Sequence, residues 1–407
     1  MRISTNQVYT QNLRAISDNQ RALSETQDQL STGKKLTKPS DDPVGAAKLI
    51  RITEELDKIT QYNRNTNLLK SSLEQQETVL SSIKDSGNRA RVLTVQAGNG
   101  IMTQEDKNAI ASEIKQIRNE IFDLMNSQNS GGQYIFAGFQ SQTQAFSYNY
   151  ANPENKFTFN GDTGTNTIRV SDSVTLKTTS SGQDIFQNVY ARKSFSVDTS
   201  SMNNVNQLEV KDLTDFERFH KSIYDPANSA NNQLQFTVIN DSELQVAQVG
   251  TGQVLDVLPF AAGEAFQYKG LEIEMDANVG QSTVISLDPP QKKNIAETLN
   301  DFVTALESDT ISDGDFSKSI SDALVGIDNA MDKISIESSS LGGRLNIADS
   351  IYASNLDMEV ANKKAQASIE DLDYAEATTR FAKQETALEA ALATFPKVSS
   401  LSLFQYI

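Results

Sequence analysis

The chain contains no cysteine, no tryptophan and a single histidine among 407 residues. Without cysteine there is no disulfide, no thiol nucleophile and no cysteine metal site. With His220 alone, His-pair zinc sites and most histidine-based acid–base chemistry lack their parts. Proline is sparse and uneven: of eight, none falls between Pro43 and Pro153 and none between Pro290 and Pro396. Basic charge is also short. Lys and Arg number 36 against 53 Asp and Glu, a net charge of −17 at pH 7, whereas a nucleic-acid binder presents a basic face. No window approaches the roughly 18 apolar residues of a spanning helix, so no membrane insertion is expected. The opening Met1-Arg2-Ile3-Ser4-Thr5-Asn6-Gln7 has no apolar core, and a Sec-type signal peptide is not expected there. A polar chain without redox or metal chemistry remains, rich in Asn and Gln (62 in all).

What is present divides into three. The first 130 residues hold three of the 29 Phe and Tyr, and residues 131–270 hold 18. The two proline gaps carry helical periodicity, and the aromatic middle carries alternation and turn residues. The fold class expected is mainly α with a β-rich insert: paired N- and C-terminal coiled-coil helices, a helical rod domain and an outer β domain. The boundaries read as 1–40 with 361–407 for the terminal helical pair, 41–145 with 290–360 for the rod, and 146–289 for the β domain.

Tyr9, Ile16, Leu23 and Leu30 recur every seven residues, with Leu13, Gln20 and Gln27 in the alternate seam positions, a coiled-coil pattern that admits polar residues. Gly33 ends this helix. In the loop Lys38-Pro39-Ser40-Asp41-Asp42-Pro43, Asp42 can cap the next helix with Pro43 at its first position. Leu69, Leu73, Leu80 and Ile83 form one stripe. Thr103-x-x-Asp106 reads as a capping box, opening a helix with Ile110, Ile114, Ile117, Ile121 and Leu124 inward and Gly131-Gly132 as its stop. In the middle, Phe157–Phe159, 235–239 and Leu271–Met275 read as strands of a sandwich or barrel. Beyond Pro290, Ile295, Leu299, Phe302 and Leu306 mark a short helix. Ile320, Leu324, Ile327, Met331 and Ile334 mark another, which continues through Leu341, Leu345 and Tyr352. Val360, Ala367, Tyr374, Phe381, Leu388 and Phe395 again recur every seven, with a phase slip near Ala353 that reads as a joint. A helix from Asp315 to Phe395 would span about 120 Å, against a radius of gyration of about 22 Å for a compact chain of this length, so a rod is expected. Heptads at both ends imply that the termini pair, and their weak seam suggests ends that order fully in an assembly.

Catalytic signals are weak. Gly98-Asn99-Gly100 and Gly250-Thr251-Gly252 do not extend to a phosphate loop. His220 is expected on a helix surface, where its loss would be silent. Asp313 and Asp315 read as loop or capping residues rather than a metal site, since the EF-hand spacing is missing. Asp41 and Asp42 read as caps without a catalytic partner. No catalytic residue, metal or cofactor is expected. The heptads alone leave an intramolecular coiled coil and a polymer contact equally open.

Several runs together resemble the bacterial flagellin family of axial proteins, and within it the hook–filament junction proteins. They are Met1-Arg2-Ile3-Ser4-Thr5-Asn6, Leu30-Ser31-Thr32-Gly33-Lys34-Lys35-Leu36, and Pro39-Ser40-Asp41-Asp42-Pro43-Val44-Gly45-Ala46-Ala47. Gly131-Gly132-Gln133-Tyr134-Ile135-Phe136-Ala137-Gly138-Phe139 resembles a strand that major flagellins lack. Leu341-Gly342-Gly343-Arg344-Leu345-Asn346 and the ending from Phe395 through Leu403-Phe404 to Ile407 complete the likeness, which covers both arms and leaves the middle unassigned. The resemblance implies a structural adaptor without enzymatic activity, forming a ring of copies of itself between the hook-side junction protein and the flagellin filament. It implies an extracellular place on the flagellum, type III export without a cleavable signal, and an export chaperone on the C-terminal arm. The expected assembly interface is Tyr9, Leu13, Ile16, Leu23 and Leu30 with Val360, Tyr374, Phe381, Leu388, Phe395, Leu403 and Phe404, beside the helix-cap loop Ser40, Asp41, Asp42 and Pro43. Flagellin itself and a cytosolic coiled-coil scaffold are the competing readings.

Overall fold

The computed structural model describes residues 5–100, 102–152, 156–198 and 205–403. Two compact units divide the chain. The first gathers the described parts of Met1–Ser71, Ile168–Leu176 and Leu345–Ile407; the second holds Ser72–Thr167 and Lys177–Arg344.

In the first unit, α1 (Thr5–Thr32) packs antiparallel on α7 (Tyr374–Leu403). The turn after α1 sets this geometry. Gly33 takes φ +70, a left-handed conformation that a Cβ disfavours, and its N–H returns to Gln29 O at 2.8 Å. Its carbonyl then accepts from Leu372 N at 3.1 Å, and Lys35 N donates to Glu370 O at 2.6 Å. The end of α1 is thereby stitched to the break between α6 (Asp313–Glu370) and α7. Asp373 starts α7, its carboxylate accepting from Ala375 N at 2.9 Å and Glu376 N at 3.2 Å. α6 runs unbroken through the expected joint near Ala353, and the chain passes from one compact unit to the other close by, between Arg344 and Leu345. In the same unit the tip of the hairpin β3 (Thr167–Arg169) to β4 (Thr175–Lys177) sits on the start of α2 (Pro43–Ala97) and the end of α6. Tyr62 Oη donates to Asp172 at 2.8 Å, Asn65 to Arg169 O at 2.8 Å and Asn355 to Val170 O at 3.1 Å.

The second unit contains a helical bundle and a β region. Leu73, Leu80 and Ile83 of α2 are buried in the bundle. So are Ile110, Ile114, Ile117 and Ile121 of α3 (Gln104–Met125), Leu299 and Phe302 of α5 (Ile295–Leu306), and Ile327 and Ile334 of α6. Each such side chain contributes about 1.5–3 kcal/mol by leaving water. Thr103 and Asp106 make the reciprocal capping box of α3. That helix stops at Met125, not at Gly131-Gly132. Asn126 ends it, its amide bridging Phe146 of the strand β1 (Phe146–Tyr148) through N–H at 2.8 Å and C=O at 3.0 Å. Nor is 131–139 a strand; it is a turn-rich segment tied by a single bridge, Gln128 to Tyr134, that buries Ile135, Phe136 and Ala137. The strand β1 pairs with β2 (Phe157–Phe159). Glu297 of α5 receives Phe157 N at 3.0 Å.

The remaining strands form two sheets. Five antiparallel strands run in the order β5 (Phe195–Val197), β12 (Ser282–Leu287), β7 (Gln233–Asn240), β8 (Glu243–Gln248), β9 (Val254–Pro259). The other three are β10 (Ala265–Tyr268), β11 (Leu271–Met275) and β6 (Val205–Val210). Alternation decides the faces: Leu234, Phe236 and Val238 of β7 point inward, as do Leu271, Ile273 and Met275 of β11. With Phe216 and Phe219 of α4 (Leu213–Ile223) they make one core. His220 is the clearest departure from expectation. It is fully buried, since it lies one turn after Phe216 on the same apolar face.

Candidate assembly surface of the terminal helices

The heptad residues occupy α1 and α7, yet the pair buries little. Ile16, Leu23 and Leu30 on α1 and Phe381 and Leu388 on α7 are only half-buried. Leu13 is 43% exposed, Tyr374 55%, and Leu392, one turn beyond Leu388, 54%. Val360, near the end of α6, is 52% exposed. Tyr9, Phe395 and Leu403 lie in the helices, with side chains outside the described residues, and Phe404 lies wholly outside them. Among the described side chains of the pair, the fully buried ones are small: Thr26, whose hydroxyl donates to Ala22 O at 3.0 Å, and Ala377. Sequence reasoning passed over both, because neither is a large apolar residue.

Over the described part of the pair, apolar side chains standing half in water have transfer energy still to gain. The arrangement is therefore suited to further packing by another chain. Polar contacts hold its position. Lys34 pairs with the Glu370 carboxylate at the turn, and Gln29 Nε2 donates to Lys35 O at 2.9 Å.

The cap loop beside it is self-contained. Asp42 Oδ1 accepts from Val44 N at 3.1 Å and Gly45 N at 2.9 Å, and Ala46 N donates to Asp42 O at 2.8 Å. Pro43 opens α2, where its missing N–H costs nothing. Asp41 folds back over the loop. The Lys38 N–H, with the Thr37 and Ser40 hydroxyls, holds its carboxyl below the usual range. Both acids are thus occupied with backbone and hydroxyl groups.

Elsewhere the chemistry is structural. Asp315 exchanges hydrogen bonds with Ser312 at the start of α6, in capping geometry. Among the described residues no group of three or more His, Cys, Asp and Glu is placed to hold a metal, and no helix is long and apolar enough to cross a membrane.

The chain matches the bacterial flagellin N-terminal helical region over residues 3–141 and the bacterial flagellin C-terminal helical region over residues 324–407, together more than half its length. It is similar to flagellar hook-associated protein 3 of Salmonella typhimurium, 33% identical over 146 residues, or 36% of this chain and 46% of that protein. With flagellar hook-associated protein 3 of Escherichia coli K12 it is 22% identical over 405 residues, 100% of this chain and 99% of that protein. It thus aligns with about half of the first relative and nearly all of the second. The crystal structure of flagellar hook associated protein-3 from Legionella pneumophila shares its fold, with a TM-score of 0.58 at 22% identity over 78% of this chain and 98% of that one. Carrying both flagellin end regions, and aligning from end to end with a hook-associated protein 3, the chain belongs to the bacterial flagellin family, in its hook-associated protein 3 branch.

Proposed function

We propose that the chain is a structural, non-enzymatic adaptor of the bacterial flagellum, forming the junction ring between the hook-side junction protein and the flagellin filament. The observation that carries this reading is the end-to-end alignment with hook-associated protein 3. The incompletely buried α1/α7 pair supports it physically. Leu13, Tyr374 and Leu392 have apolar surface left to bury, and neighbouring copies supply the partner. The assembly interface is then Tyr9, Leu13, Ile16, Leu23 and Leu30 against Val360, Tyr374, Phe381, Leu388, Phe395, Leu403 and Phe404. The Ser40–Pro43 loop fixes the entry to α2, and the β region around 146–289 faces outward. Export runs through the flagellar type III apparatus, with a chaperone on the C-terminal arm before secretion; the absence of cysteine leaves no disulfide to form prematurely on that route.

Gold or fluorescent labelling of isolated hook–filament preparations tests the reading. Label confined to a thin band at the hook–filament boundary is expected. Label along the filament, or indefinite growth of the purified protein on filament seeds, would make it a flagellin. Retention in the cell with no label on the flagellum would make it a cytosolic scaffold.

A further inference from the structure

His220 is the chain's only histidine, and the fold encloses it completely. It lies in α4 between two rings: Tyr224 stacks on it with centroids 5.1 Å apart, and Phe216 meets it edge-on at 6.0 Å. Nε2 is 2.8 Å from the Asp288 carbonyl oxygen. A carbonyl only accepts, so Nε2 carries the proton and Nδ1 is the bare nitrogen. Nδ1 is buried and has no partner.

The acceptor is at a particular place. Asp288 follows β12, where the chain leaves the β region, and Ser194 precedes β5, where it enters. Asp288 N donates to Ser194 O at 3.0 Å, and Ser194 Oγ donates to Asp288 Oδ2 at 2.8 Å. Lys193, the next residue out, donates to Glu217 O of α4 at 2.9 Å. One hydrogen bond from His220 therefore ties α4 to both crossings at the base of the sheets.

Protonation at Nδ1 would leave the Nε2–H bond to Asp288 O in place but bury a charge and a second donor. An imidazolium needs acceptors for two N–H groups, and Nδ1 faces none. The charged groups around it are Lys193, which repels a second cation, and the carboxylates of Asp288 and Glu217, which attract one. Tyr224 is the other titratable group in contact. Burial outweighs the hydrogen bond to the Asp288 carbonyl and the two carboxylates, and holds the imidazole below its ordinary value. A depressed folded pKa means that the unfolded chain binds the proton more readily. The stabilising contribution is then present above about pH 6.5 and is lost as pH falls through the folded value.

We propose that His220 is an acid-released latch: neutral, it holds α4 over the β core; protonated, it frees α4 and uncovers Phe216 and Phe219. In acid surroundings these two rings would then meet water.

Because there is one histidine, histidine-selective isotope labelling of the full chain gives a single imidazole signal. Its titration is followed by NMR while hydrogen exchange reports α4, with α3 as internal reference. The expected midpoint lies below about 6.5. One unit below that midpoint, α4 exchange relative to α3 should have risen by a factor set by how far the midpoint lies below about 6.5. In His220→Gln, which keeps a donor for Asp288 O but cannot be charged, the rise should vanish. A midpoint at the ordinary value with α4 protection unchanged would overturn the latch, as would an equal acid rise in His220→Gln. Should the variant not fold, the wild-type chain decides alone: α4 opening must share the imidazole's midpoint.

Discussion

The Tyr374 hydroxyl at the start of α7 lies 2.8 Å from the point where a side chain on Gly33 would begin, and Gly33 itself holds φ +70. The backbone at this turn requires glycine, and a Cβ there would push the tyrosine tip aside. Gly33→Ala should destabilise the chain by about 1–2 kcal/mol, the usual cost of a left-handed non-glycine residue. The tyrosine tip is flexible and can move aside, so Tyr374→Phe should recover only a small part. Denaturant unfolding of the two single variants and the double variant checks this. A double variant as stable as Tyr374→Phe alone would place the cost in the close approach rather than in the backbone.

Glu297 of α5 is 2% exposed and accepts from Phe157 N at 3.0 Å. Burial raises its pKa above the ordinary carboxylate value, against the lowering effect of the Phe157 N–H. A raised folded pKa favours the protonated folded state, so the burden of burying the charge grows as pH rises from about 4.5 through the folded value. Glu297→Gln keeps an acceptor without the charge and should match or exceed the parent's stability at neutral pH. Glu297→Ala leaves the Phe157 N–H unsatisfied and should lose about 1–3 kcal/mol. Thermal melts across pH distinguish the two; equal losses would assign the site to packing alone.

Ser194 and Asp288 are hydrogen-bonded neighbours, so the chain can be rejoined there with a short Gly/Ser bridge. Excision of 195–287 should leave a helical, soluble product with a cooperative melt. Excision from 146 also removes β1 and β2, together with the contacts of Asn126 and Glu297 to them. It should melt markedly lower. Circular dichroism and calorimetry of both products check the difference.

Phe381→Asp and Leu388→Asp place a carboxylate on the half-buried stripe of α7. In an assembled ring that charge would be enclosed without a partner, at a cost of several kcal/mol. Secreted monomer should accumulate while hook-attached protein falls. Glu376→Gln removes one exposed ion pair, to Arg380 at 2.6 Å, worth about 0.3–0.5 kcal/mol, and should assemble normally. Quantifying secreted against attached protein decides it; normal attachment of both Asp variants would remove α7 from the interface.

The long helices were legible because their stripes repeat over many turns: Leu69, Leu73, Leu80 and Ile83, and Ile110, Ile114, Ile117 and Ile121, are all buried. The capping box at Thr103 was equally plain, being a local arrangement of two side chains. What failed was non-local. Asn126 stops α3 because Phe146 offers it two backbone groups, which nothing within the helix announces. The strand expected at 131–139 came from the resemblance alone, and the burial of Ile135, Phe136 and Ala137 is met in a turn-rich segment without a ladder. His220 had a readable signal: four residues after Phe216, it shares that residue's face. Reading it as polar, and so outward, overlooked this position. The paired stripes of α1 and α7 were visible as heptads. Their thinness in the single chain was not, since periodicity does not say how much of a stripe a partner helix covers.

Lys34 and Glu370 meet across 336 residues of chain. Closing so large a ring from an unstructured state sacrifices far more configurational freedom than joining the ends of a tight turn. The cost shrinks once intervening segments are already shortened: helices first, then β5 to β12 across about 90 residues. Loop closure thus favours the turn at Gly33 as the last stitch of the folding order, reached from the inside outward. A chain caught before that step would have its middle set and its two ends apart, free to be seated separately.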